Sequence, residues 1–396
     1  MKQLSWAALV ILFVISTFAW TARAEMLAMV VYETKAEESI RELRVEKTRR
    51  TREDGLAIID VDPASEAYGR ILAKFPLPEG LAPHHQYYNR DKTKIYVTGT
   101  LLPMLHVVDL TRAPYRVKRI DTPGCERLDT VVFSSDNKTW WVSCIATDKL
   151  LIGDAIADRV VGEISIPIGG PHGMALHQGL DRLIVTNLGS FGNFREMVTI
   201  VEASTGRVLS SHKMSREPSP SGSGPTDVLF ARRRSPPIAY INVAFGGESK
   251  KGTLWAGAWS PGKRDFEFQQ VFDFGTTESG IPVTIGMDRE EERLFVSTTN
   301  PGHFHIFDLT GDPMKPKLLK TLRAAQGAHH AALSPDERYA FVQNGVLNLP
   351  GLSDGSITVV DLEKLEVVDS IDTFKDAGYA INHILMLPEW HRAGGE

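Results

Sequence analysis

One pattern returns along almost the whole chain: an apolar strand closing on an acid, a short polar turn, then another apolar strand. It reads "LAIIDVDPASEAYGRI" from 56, "LHVVDLTRAPYRVKRI" from 105, "LLIGDAIADRVVGEI" from 150, "VTIVEASTGRVLSSH" from 198, "FHIFDLTGDPMKPKLLKTL" from 304 and "ITVVDLEKLEVVDSI" from 357. A second pattern alternates with it, a strand, a polar turn and a β-rich strand: "VVFSSDNKTWWVSC", "MALHQGLDRLIVTN", "IGMDREEERLFVST" and "AALSPDERYAFVQN". Short runs rich in β-branched and aromatic residues, bounded by Gly, Pro, Asn and Asp, are antiparallel strands. The two patterns make four strands per unit, and the units recur every 43 to 57 residues. That is at or slightly above the period of four-stranded propeller blades.

Seven inner strands are expected, beginning near His84, Asp129, His172, Thr226, Val283, His329 and Asn382. The last copy, "YAINHILMLP", has an inner strand and nothing after it, whereas "MLAMVVYE" and "LAIIDVD" near the N-terminus have no inner strand before them. Joined, they complete a seventh blade and close the ring, which removes the exposed sheet edge. The expected fold class is therefore all-β: a single seven-bladed β-propeller over residues 25–390, closed by N-terminal strands pairing with the C-terminal inner strand, with 391–396 as a tail. Two stretches interrupt the repeat. "TKAEESIRELRVEKTRRTREDG", 34–55, is a charged, solvated insertion, and "REPSPSGSGP", 216–225, is a flexible loop by composition.

Residues 1–24 read as a signal peptide: Lys2 starts it, an apolar run spans Trp6 to Trp20, and Ala22-Arg23-Ala24 offers small residues for cleavage. The run is shorter than the ~20 residues a spanning helix needs, and no later segment is apolar enough to cross a membrane. A periplasmic or secreted protein is expected. Cleavage removes two positive charges, taking the formal charge from -5 to -7, so no nucleic-acid footprint is visible. Cys125 and Cys144, the two cysteines, sit at opposite ends of a predicted hairpin. In an exported chain they are expected to form a disulfide, with a thiolate metal site as the alternative.

The histidines are not evenly spread. Aligning the inner strands on the turn after each one gives a two-residue position at the strand start. It reads His84-His85, Asp129-Thr130, His172-Gly173, Thr226-Asp227, Val283-Thr284, His329-His330 and Asn382-His383, so six of the chain's twelve histidines fall on fourteen positions. Inner strands line the central channel and their starts converge at one mouth. Imidazoles of four blades are thus expected to meet there, with Asp129, Asp227, Thr226 and Asn382 completing a polar rim. Neutral imidazole is the commonest transition-metal ligand, and a nitrogen-rich set suits copper or zinc. The competing reading is structural, each imidazole bonded inside its own blade, and His172 in "GPHGMAL" alone fits that reading. Consecutive strand residues also point to opposite faces, so both members of a pair reach one ion only where the strand is irregular. His303 and His305 alternate on a third strand and suggest a weaker second site. His106, His177, His212 and His391 stand alone. The acids Asp60, Asp109, Asp154, Asp308 and Asp361 each precede a turn, where a carboxylate caps backbone N–H groups.

"IYVTG" at 95, "LIVTN" at 183, "LFVST" at 294 and "SPDERYAFVQN" at 334 resemble the YVTN-type seven-bladed propellers over essentially the whole mature chain. "FDLTGDPMKPKLLKTL" followed by "HHAALSPDERYAFV" resembles the selenium-binding proteins, whose bacterial members include copper-dependent methanethiol oxidases. The doubled His84-His85, with later single histidines on other inner strands, is similar to the propeller of nitrous oxide reductase, where such residues hold copper. The chain shows no C-S-S-C-type stretch of the former and no cupredoxin-like segment of the latter. What the resemblances imply is copper-dependent oxidation of a small sulfur compound. His84, His85, His172, His330 and His383 would hold the metal with His329 in or near the shell, and Asp129 or Asp227 would take a proton. Electrons would pass to oxygen or a periplasmic redox partner. A metallochaperone using the same ring, and a protein-interaction scaffold with structural histidines, are the readings from other classes. The sequence carries no nucleophile elbow, dinucleotide fingerprint, phosphate loop or haem-attachment motif.

Overall fold

A computed structural model of the chain describes residues 26–38, 52–78, 80–112, 115–190, 193–215, 223–245 and 251–388. The expected signal peptide, most of the charged insertion, the Pro/Ser/Gly loop up to Gly222 and the tail lie outside the described residues. The described residues form seven four-stranded antiparallel sheets. Inner strands of the first six blades are β4 (Pro83–Tyr88), β8 (Leu128–Phe133), β12 (Pro171–His177), β16 (Pro225–Ala231), β20 (Pro282–Met287) and β24 (Ala328–Leu333), each followed by three more strands in sequence order. The seventh blade is composite, in the order β28 (Tyr379–Met386), β1 (Leu27–Thr34), β2 (Asp54–Asp60), β3 (Ile71–Leu77). Strands β1 and β28 run antiparallel from Ala28↔Met386 to Thr34↔Tyr379, so the two ends of the chain close the ring as expected. The charged insertion falls between β1 and β2.

Burial follows from this stacking. Each of seven apolar clusters is a wedge between neighbouring blades: one joins Val30, Ile59 and Ile381 to Phe341 and Val359, another Tyr96 and Val107 to Trp140 and Val142. Both faces of a second or third strand are covered by the neighbouring blades, which is why β1 and β2 are buried almost throughout. Outer strands face solvent, as in Arg116–Asp121, where only Ile120 is buried. Lysines and arginines on those edges discourage pairing with another chain. The turn acids do what their position suggests: Asp109 and Asp308 each accept the N–H and hydroxyl of a threonine two residues on.

Candidate metal centre

In every blade the inner strand is irregular at its opening residues. Pro83 faces Gly99 but Gln86 faces Val97, so the segment holding His84 and His85 has one residue more than its partner. The register shifts likewise at Leu128/Val131, Pro171/Met174, Pro225/Val228, Pro282/Thr284 and Ala328/Ala331, and again beside Asn382-His383. A bulge frees a residue from the ladder and re-aims its side chain. Regular alternation would send His84 and His85 to opposite faces. Here their rings stack 3.7 Å apart at 24°, and the centroids of His329 and His330 are 4.2 Å apart.

Five imidazoles from blades 1, 6 and 7 converge. His85 lies 4.5 Å from His330, 5.4 Å from His329 and 5.4 Å from His383 between ring centroids, and His330 lies 3.9 Å from His383. Blade 2 adds Asp129, whose Oδ1 is 3.1 Å from His85 Nδ1 and 3.5 Å from His84 Nε2, while its Oδ2 is 3.4 Å from His172 Nδ1. Asp129 is 0% exposed, and His84, His85, His329 and His383 no more than 5%.

The nitrogens left over decide what this cluster can do. His84 Nδ1, His85 Nε2, His329 Nδ1, His330 Nε2 and His383 Nδ1 are all buried without a hydrogen-bond partner. Each such atom costs roughly 1–3 kcal/mol, so five in one place are a liability unless a common cation satisfies them. Burial, and then the neighbouring imidazoles, push His84, His329, His330 and His383 well below the ordinary imidazole range. They are therefore neutral, which is the form that binds metal. Burial works against Asp129, but the surrounding His172, His85 and His84 outweigh it and hold its carboxyl well below the usual range. Two donor groups emerge, His85 with His329 and His330, and His84 with His85 and Asp129, each with its donor atoms within 4.8 Å of one another. Neutral nitrogens with one carboxylate fit a transition metal of the copper or zinc kind.

The other candidates fall elsewhere. His172 donates from Nδ1 to the Thr226 carbonyl at 2.7 Å and belongs to neither donor group. Asp227 accepts the N–H of Val228 at 2.8 Å and that of Ile285 at 3.2 Å, tying blade 4 to blade 5, and burial pushes its carboxyl up to about 6. Asn382 donates to Glu33 at 2.8 Å and to the Pro83 carbonyl at 2.9 Å. The rim expected from Asp227, Thr226 and Asn382 is thus spent on joining blades. Gly173 lets blades 3 and 4 approach: a Cβ there would lie 2.6 Å from Thr226 O and 2.8 Å from Asp227 Cα. His305 is engaged on both nitrogens, by Thr298 at 3.4 Å and Thr321 at 3.0 Å, and joins no donor group among the described residues. His177 accepts the Leu180 N–H, and His212 pairs with Asp265.

Two features escaped the sequence reading, and the expected disulfide is formed. Tyr87 sets its hydroxyl 3.0 Å from His85 Nδ1 and 3.4 Å from Thr130 Oγ1; its place two residues after His85, on the same strand face, was the available signal. A cavity of about 90 Å³ opens between blades 5 and 6, walled by Ile285, Met287, Phe295, Ser297, Phe304 and His330, so His330 faces both cavity and cluster. Cys125 and Cys144 are disulfide-bonded, and Cys144 pairs with Leu128, which braces the bulge carrying Asp129. No helix among the described residues is long and apolar enough to cross a membrane.

No protein-family model and no curated protein matches this chain. Solved structures do. A hypothetical selenium-binding protein from Sulfolobus tokodaii is similar with a TM-score of 0.75 at 14% identity, over 92% of this chain and 94% of that one. A putative 6-phosphogluconolactonase from Bacteroides fragilis aligns with a TM-score of 0.65 at 11% identity, over 93% and 99%. The periplasmic gluconolactonase of Pseudomonas aeruginosa aligns with a TM-score of 0.64 at 12% identity, over 91% and 99%. Identities this low speak for architecture alone: the chain is a seven-bladed β-propeller with a distant resemblance to the selenium-binding and 6-phosphogluconolactonase-like propellers.

Proposed function

We propose that this is an exported copper protein that oxidises a small sulfur compound at the channel mouth. The observation that carries the reading is the gathering of five imidazoles from three blades into one cluster, each with a buried and unpartnered ring nitrogen. Copper would supply affinity for a thiolate and one-electron redox chemistry. The protein's own part is to hold His84, His329, His330 and His383 neutral, to gather them with His85, and to place the Asp129 carboxylate as the anion that balances the bound cation. The cavity against His330 is small and mostly apolar, with Met287, Phe295 and Phe304 in its wall, which suits a compound of few heavy atoms. Of the two carboxylates, Asp227, raised to about 6 by burial, has the basicity to take a proton near neutral pH. Asp129, held low by its imidazoles, serves as a fixed charge. The leader-like N-terminus and the disulfide support export, and electrons would leave to oxygen or a periplasmic redox partner.

The metallochaperone reading fits less well, because delivery needs donors a partner can reach and four of these imidazoles are nearly sealed. A scaffold with structural histidines would bond each imidazole within its own blade, and here they meet across blades. The test is elemental analysis of mature protein purified without a histidine tag, beside a His85→Ala/His330→Ala double variant. Copper that disappears in the variant, with thiol-dependent oxygen uptake by the loaded protein, is the expected result. Zinc lost in the same way would favour metal delivery, and metal in neither sample would overturn the reading.

A further inference from the structure

The donor atoms exceed what one ion takes. A tetrahedral centre uses four ligands, whereas five orphaned imidazole nitrogens and the Asp129 carboxylate are gathered here. They also divide. His84 and Asp129 form a group with His85, and His329 and His330 form another, again with His85. Its two ring nitrogens face different company. Nδ1 lies 3.1 Å from Asp129 Oδ1, and Nε2 is buried with no partner, while the ring packs edge-on against His330 at 4.5 Å.

We infer that the centre holds two metal ions with His85 as the shared ligand, its Nδ1 serving the ion beside His84 and Asp129 and its Nε2 the ion beside His329 and His330. This rests on the metal-binding reading above. An imidazole that has lost both ring protons carries a negative charge and presents two donors on opposite edges, so one residue can join two cations. The Asp129 carboxylate adds the second negative charge, and a pair of cations in a site this enclosed needs both. One four-coordinate ion would leave at least one of the five nitrogens unused.

The test loads metal-free protein with excess Cu(II), removes unbound ion by desalting, and measures copper per chain together with the spin count by electron paramagnetic resonance. Expected are two coppers per chain with fewer than two spins, since one bridging imidazole couples the pair magnetically. His84→Ala and His330→Ala should each retain one copper giving one full spin, lost from opposite sides of the bridge. Circular dichroism confirms that each variant is folded, and repeating the titration with Zn(II) gives the stoichiometry independently of redox state. One copper in the wild type would overturn the pair and leave the mononuclear reading standing. Two coppers with two full spins would overturn the bridge. No copper at all would overturn the proposed function itself.

Discussion

Blades 1 and 4 open their inner strands with the same backbone device and use it for opposite ends. In both, a bulge releases two residues from the ladder. In blade 4 the freed Asp227 spends both carboxylate oxygens on backbone N–H groups, one of them in the next blade, and Thr226 takes up the His172 imidazole through its carbonyl. In blade 1 the freed His84 and His85 leave a nitrogen each unsatisfied and turn toward Asp129 and the histidines of blades 6 and 7. The same contrast separates two carboxyls of the ring. Asp129 is held low by imidazoles, and Asp227 is raised to about 6 by burial. The bulge is scaffolding common to the ring. Chemistry enters where its freed side chains do not satisfy one another.

The largest consequence is in the response of the metal-free protein to acid. His84, His329, His330 and His383 have folded values well below the ordinary one. Above about pH 6.5 both folded and unfolded forms are neutral and nothing is gained or lost. Below it the unfolded chain takes up protons that the folded one refuses, so stability falls by up to about 1.4 kcal/mol per imidazole per pH unit. Asp227 acts the other way. Its raised value stabilises the fold at low pH, a contribution lost as pH rises from about 3.9 through about 6, but it is one group against four. Asp129, held low, matters only below about pH 4. Chemical denaturation of metal-free protein should show several kcal/mol lost between pH 7.5 and 5.5, with a markedly shallower loss in a His330→Ala/His383→Ala variant. A flat profile would mean that the imidazoles are not desolvated together, and the contrast between the blades would fail.

Next in size is the brace on blade 2. The disulfide closes a loop with a sequence separation of 19, so replacing both cysteines by serine should cost about 3 kcal/mol, read as a lower denaturation midpoint. Because Cys144 pairs with Leu128 at the foot of the Asp129 bulge, copper affinity should fall as well. Blade 4 carries no disulfide, and its bulge is fastened by Asp227 instead.

How much of this was legible beforehand follows from the same contrast. The ring, its closure and the seven inner-strand starts were readable because strand periodicity and turn acids recur locally in the chain. The meeting of His84, His85, His330 and His383 was readable because a propeller converts a recurring position into a circle. Three things were not. The bulges depend on how two strands are registered, which no single strand reveals. Asp129 reads in sequence as a base, and only its three imidazole neighbours turn it into a fixed anion. His172 reads like the other ring histidines until Gly173 allows blade 4 close enough for the Thr226 carbonyl to accept a hydrogen bond from its Nδ1–H.

The two aspartates give the most direct test of that division of labour. Asp129→Asn removes the charge that the donors share and should weaken copper binding about 10- to 100-fold, leaving the denaturation midpoint near that of the wild type. Asp227→Asn keeps one acceptor oxygen but loses the other, so it should cost about 1–3 kcal/mol of stability with copper affinity nearly unchanged. Isothermal titration and denaturation on both variants would read this out. An exchange of the two phenotypes would invert the assignment.

The smallest effect discriminates most finely. The Tyr87 hydroxyl stands 3.0 Å from His85 Nδ1 and 3.4 Å from Thr130 Oγ1, and its ring lies 5.9 Å from that of His383. Tyr87→Phe keeps the ring and removes the hydroxyl, so packing persists while one hydrogen bond of about 1 kcal/mol is lost. If the hydroxyl pre-orients the His85 ring before metal takes its Nδ1, copper affinity should drop about fivefold, and the drop should shrink in the Asp129→Asn background, where the imidazole has already lost its other anchor. If it serves only Thr130, the midpoint should fall by the same free energy with copper affinity unmoved, and the two substitutions should add. The sign of that coupling separates a hydroxyl that belongs to the centre from one that belongs to the blade.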